Sequence, residues 1–248
     1  YDNNFFGLQA GRNVTTGLSN VAVGSSAMYG GSGNASASSN VAVGEIALYE
    51  ATSAARNVAL GVSALQNNNS GTNNIGIGYR AGDNVSTGGN NIVIGYDIDA
   101  PVGTSSNQLT IGNLIFGSAI DGTGTTISTG NIGIGDATPD FRLDVETDAA
   151  STYAASFFND GNNDNRFGIQ IQAGADAPSA GKFIQFNDGD GGDVGSICVT
   201  GGVAAVCAPS DERLKENIDD TTVGLDDLMA IHVRDYSYIS DDTETIRH

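Results

Sequence analysis

Tryptophan is absent from this chain of 248 residues, and lysine nearly so, with only Lys182 and Lys215 present. Charged residues make up 16% and large apolar side chains are few, which argues against an ordinary globule with a thick core. Basic charge is the scarcest resource: ten scattered Lys and Arg face 29 Asp and Glu, for a net charge of −19. Duplex nucleic acid and anionic membranes both require clustered cations, so neither is an expected partner. No run approaches the ~20 apolar residues that cross a bilayer, so membrane insertion is not expected either. The N-terminal "YDNNFFGLQAG" lacks the basic start and apolar h-region of a signal peptide. It opens inside the pattern described next and reads as part of a longer chain. Only six of the acidic residues precede residue 120, and acidity of this kind suits a soluble extracellular surface.

What the chain has instead is glycine, 35 residues of it, placed with regularity. "NVAVG" occurs at 20–24 and 40–44, "NVALG" at 57–61, "NIGIG" at 74–78 and 131–135, and "NIVIG" at 91–95; "NNFFG" at 3–7 fits the same frame. The closing glycines Gly7, Gly24, Gly44, Gly61, Gly78, Gly95, Gly112 and Gly135 are separated by 17, 20, 17, 17, 17, 17 and 23 residues. Within each unit large apolar residues flank a small one, as Val41 and Val43 flank Ala42, and alternation of period two is a strand. The closing Gly permits a sharp turn. A unit of 17 residues holds two short strands and two turns, one rung of a β-roll or β-solenoid whose core comes from stacking. At about 4.8 Å per rung the array spans about 35 Å. The small-residue face is expected to approach a neighbouring backbone, with oligomerisation around that face. The recurring Asn either form hydrogen-bonded ladders along the axis or follow simple turn preference.

The frame loosens after Gly112. "AASFF", "RFGIQIQ", "KFIQF" and "VGSICV" read as strands of antiparallel hairpins, joined by turns at 159–165 and 187–193. Asp188, Asp190 and Asp193 in the second turn form a weak calcium candidate set, because alternate oxygen ligands can wrap a hard cation; the turn does not match the twelve-residue calcium loop. His232 and His248 have no nearby Cys at metal-ligand spacing, so no zinc site and no cofactor are expected. Folding "SICVTGGVAAVC" about Gly202-Val203 sets Cys198 opposite Cys207, which reads either as a cross-strand disulfide or as two small buried apolar residues.

At Pro209 the texture changes again. Gly becomes rare, charge dense, and "VGLDDLMAIHV" at 223–233 reads as a short helix. The motif "SDERLKENI" resembles the opening of the intramolecular chaperone domain that ends phage tail spikes and tail fibres, including endosialidases. "GNIGIG…P…LDV" and "VGSI…G" are similar to the fibre regions upstream of such domains. The repeats resemble the left-handed β-roll of trimeric autotransporter adhesin heads. The chain stops at His248, short of the usual length of such domains, so the chaperone reads as truncated. From the residues alone, Ser210 is a polar turn residue and Lys215 a solvated charge. The resemblance implies a serine-lysine dyad that cuts the chain once after trimer assembly, with Ser210 as the nucleophile and Lys215 as its base.

The expected fold is all-β: a homotrimeric left-handed β-roll or β-solenoid stalk, a β-hairpin-rich trimeric region and the start of a small α-containing chaperone domain. The expected division is 1–115 for β-roll repeats, 116–145 for a neck, 146–209 for a hairpin-rich tip and 210–248 for the chaperone. The expected function is a structural, host-surface-binding trimeric fibre, the distal part of a phage tail fibre on the virion, contacting a host cell-surface glycan or protein receptor. No turnover enzyme is expected, at most a single self-cleavage. The alternatives are a bacterial surface trimeric adhesin, a glycan-cleaving tail spike with paired carboxylates, and a spacer without receptor contact.

Overall fold

The computed structural model describes residues 2–149 except 32 and 34, residues 153–157, 169 and 171, and residues 180–207 except 189, 201 and 202. The chain divides into two compact units, Tyr1–Phe157 and Phe158–His248. Among the described residues every regular element is a strand.

The first unit is a β-solenoid of about six turns. Seven strands of three residues each build it: β1 (Asn4–Phe6), β2 (Val21–Val23), β3 (Val41–Val43), β4 (Val58–Leu60), β5 (Ile75–Ile77), β6 (Ile92–Ile94) and β7 (Leu109–Ile111). Each pairs in parallel with the next, so repeat positions superimpose: Val41 on Val58, Ala42 on Ala59, Val43 on Leu60. The coil between Gly24 and Gly44 is three residues longer than the others, yet Val21 still pairs with Val41. Its extra length is taken up near Gly30, Gly31 and Gly33, all at positive φ.

The central residue of each strand points inward. Ala22, Ala42 and Ala59 are fully buried, and across the coil they meet Ala27, Ala47 and Ala64 with Met28, Leu48 and Leu65. These last three adopt φ of 47–51°, uncommon for bulky residues, and all three side chains are fully buried. The flanking Val, Ile and Leu face out, with Val23, Val43, Leu60 and Ile77 at 36–38% exposure. The expectation that the small-residue face forms the contact between copies is therefore corrected. Met28, Leu48 and Leu65 fill most of the interior from the opposite side, so the small strand centres close on their own chain and the flanking Val, Ile and Leu are left outside.

The asparagines form the ladder. Asn20, Asn40, Asn57, Asn74 and Asn91 are fully buried. Asn57 Nδ2 donates to Asn40 Oδ1 at 3.0 Å and to the Gly71 carbonyl at 2.9 Å, while Asn57 Oδ1 accepts the Asn74 N–H at 2.8 Å. The closing Gly has its own requirement: Gly61 sits at φ +136°, and a Cβ there would fall on the Gly78 carbonyl. Regular stacking ends at β7, where β8 (Ile115–Gly117) folds back antiparallel. Strand β9 (Ile132–Ile134), the last "NIGIG", pairs antiparallel with β8 and parallel with β10 (Leu143–Val145).

The described part of the second unit is a three-stranded antiparallel sheet of β11 (Ala180–Asn187), β12 (Asp193–Thr200) and β13 (Val203–Cys207). The 187–193 hairpin lies where the sequence puts it. The last hairpin does not: Cys198 is opposite Ala205 and Ser196 opposite Cys207, so the ladder closes on Thr200 and Val203 around 201–202 instead of about Gly202-Val203. A Gly-Gly pair between the paired residues is the composition that a two-residue connection favours. The change moves each partner by two positions, which keeps both cysteines on one face. They form a disulfide along the diagonal, with Cα atoms 6.0 Å apart. The expected hairpin turn at 159–165, the boundary at 209/210 and the helix at 223–233 lie outside the described residues.

Candidate functional site

The repeat places three chemically distinct columns on the solenoid surface. The first is the Val, Ile and Leu file of β2 to β7, whose members Val23, Val43, Leu60 and Ile77 are about one-third exposed because each side chain shields its neighbours along the axis. A contiguous apolar strip of this kind marks an interaction surface.

The second column runs along the edge of that strip. Arg56, Asn73, Asn90 and Asn107 occupy one repeat position at positive φ. Arg56 Nε donates to Asn73 Oδ1 at 2.8 Å, Asn73 Nδ2 to Asn90 Oδ1 at 3.0 Å, and Asn90 Nδ2 to Asn107 Oδ1 at 3.0 Å. The three asparagines, with Ile75, Ile92 and the segment Ile120 to Thr123, line a cavity of about 240 Å³. Asp121 at its rim accepts the backbone N–H and the hydroxyl of Thr129, both at 2.8 Å, and these bonds hold its carboxyl below the ordinary range.

The third column follows the closing glycines. Tyr79 and Tyr96 stack there, with Arg80 and Asp97 beside them. Arg80 Nε lies 2.8 Å from Asp83 Oδ2 and Arg80 Nη1 lies 3.0 Å from Asp97 Oδ1. Asp99 is pushed up from the usual carboxylate range, first by burial and then by its hydrogen bond to Asp83 and that group's charge. Sequence reasoning passed over this column, although the signal was there: both tyrosines directly follow a closing Gly, one repeat apart.

In the second unit the calcium candidates have local duties. Asp188 Oδ1 accepts the N–H of Gly192 at 2.7 Å and of Asp190 at 3.1 Å, which ties the turn. Asp193 pairs across the sheet with Lys182, and its Oδ1 accepts the Gly195 N–H at 3.1 Å. Among the described residues no group of three or more His, Cys, Asp or Glu converges as a metal site. Among them, too, no helix is long and apolar enough to cross a membrane. Ser210 and Lys215 lie outside the described residues.

Residues 210–248 match the family described as Chaperone of endosialidase. No curated protein and no solved structure matches the chain.

Proposed function

We propose that this chain is the trimeric, host-contacting part of a phage tail fibre, extended by a chaperone segment that sets its assembly. The carrying observation is the outward Val, Ile and Leu file, held in register over β2 to β7 by the parallel ladder. One chain leaves this strip open, and three copies turned about a common axis cover it. The match at 210–248 supports the same reading, because an endosialidase-type chaperone is a trimerisation device at the end of a fibre or spike. Residues 1–115 then form the stalk, 116–145 a neck, 146–209 the tip and 210–248 the start of the chaperone.

Association of three slim stacks is a high-contact-order event and slow to nucleate. A C-terminal trimeriser holds the ends together and sets register. Ser210 Oγ, its proton taken by Lys215, then adds to the carbonyl of a peptide bond beside it. The C–N bond breaks as Lys215 returns the proton to the leaving amine, and water hydrolyses the ester. This releases the trimeriser and leaves a fibre protected by a high barrier to unfolding.

Native and denaturing mass measurements on the purified chain test this. The expected outcome is a native mass three times that of the denatured chain, with a cut next to Ser210 that disappears in Ser210→Ala and Lys215→Ala. A folded monomer at all concentrations overturns the fibre reading. A stable trimer with intact 210–248 overturns only the cleavage.

A further inference from the structure

Tyr79 and Tyr96 stand one coil apart, so the repeat sets one ring over the other, with centroids 5.2 Å apart and planes 21° off parallel. An earlier pair, Tyr29 and Tyr49, is built the same way at 4.9 Å and 9°. That pair is finished: both rings are half-buried, and the Arg12 guanidinium lies 5.8 Å over Tyr29. The later pair is open. Tyr96 is 76% exposed and Tyr79 43%, and among the described residues no cation or further ring caps the free side of Tyr96.

Polar groups are already fixed at the edge of this ledge. Arg80 is held by Asp83 and Asp97, which preorganises its fork, while the side chains of Arg80 and Asp97 stay nearly half exposed and keep donors and acceptors toward solvent. A flat apolar face beside a few placed polar groups suits a ligand that is C–H on one side and hydroxyl around its rim. Charge narrows the class. Arg80 is outnumbered by Asp83, Asp97 and Asp99, so an anionic ligand meets repulsion here.

We propose that the Tyr79–Tyr96 ledge, with Arg80 and Asp97, binds a neutral pyranose of a surface glycan, its ring stacked on Tyr96. This rests on the host-contact reading above and adds the class of ligand and the residues that meet it.

The test presents the full chain with albumin conjugates of neutral hexasaccharides of glucose, galactose, mannose and N-acetylglucosamine, alongside polysialic acid and bare albumin. The expected result is retention on at least one neutral conjugate, weakened about tenfold or more in Tyr96→Ala, the scale on which removing a stacking ring acts. Tyr96→Phe keeps the binding and Arg80→Gln weakens it. Absence of binding to every neutral conjugate overturns the proposal, as does equal binding by Tyr96→Ala, or retention on polysialic acid or bare albumin alone. Native mass runs beside each variant. A trimer that ignores all sugars removes the ledge and leaves the fibre, whereas a monomer removes the fibre reading.

Discussion

Asn57 shows how much one residue type carries in this chain. Its side chain is fully buried and satisfies groups in the coils on either side of its own: Asn40 Oδ1 in one, the Gly71 carbonyl and the Asn74 N–H in the other. Asn57→Ala strands the Gly71 carbonyl and the Asn74 N–H, whereas Asn40 Oδ1 keeps the backbone N–H of residue 57, and a buried unsatisfied group costs about 1–3 kcal/mol. We expect a loss of about 3 kcal/mol in the unfolding free energy, read by denaturant unfolding at fixed protein concentration. Asp99 acts in the opposite sense. Its folded pKa is raised, so its ionised form is disfavoured in the folded chain, and stability falls as pH rises from the ordinary carboxylate range through the raised value. Asp99→Asn is expected to raise the unfolding free energy at pH 7, by less than about 1 kcal/mol for so exposed a group, and to leave it unchanged near pH 3. An equal gain at both values would assign the effect to something other than charge.

At the scale of the element, the strands were legible because a repeat states its own boundaries. Asn opens, Gly closes, and period two lies between, so three-residue strands fall at 21–23, 41–43 and 58–60, whereas the second strand expected in each unit is reduced to isolated bridges such as Ser38–Ala55 and Ala55–Thr72. Which side of a strand faced the interior was not legible. Alternation fixes that two faces differ, whereas the width of the coil decides which is inside, and width is a property of stacked backbones. The last hairpin failed for a related reason: Gly201, Gly202 and Val203 offer two turn centres, and local sequence does not choose between them. The candidate dyad was legible only by resemblance, since Ser210 and Lys215 show no chemistry through spacing alone. For the hairpin itself, the Cys198–Cys207 bridge closes a short loop, and such a closure stabilises by about 2–3 kcal/mol. Replacing both cysteines with serine is expected to lower the unfolding midpoint of the tip while the solenoid transition stays in place. Calorimetry resolves the two, and a shift in the solenoid transition alone would contradict it.

At the scale of the molecule, inside and outside respond differently to charge. Leu60 lies on the outward file at 36% exposure, whereas Ala59 beside it is sealed in the coil. A Val43→Asp, Leu60→Asp pair is expected to leave the strand content by circular dichroism as it was and to lower the native mass from three chains to one. An unchanged trimer would move the contact between copies to another face. The long coil between Gly24 and Gly44 carries a separate consequence. Three additional residues enter at one corner, while Asn40 still hydrogen-bonds Asn20 at 3.0–3.1 Å and the next coil stacks as if nothing had been added. Loop closure grows only slowly more costly with length. That corner is therefore a port through which new surface segments can enter without disturbing the stacked coils on either side.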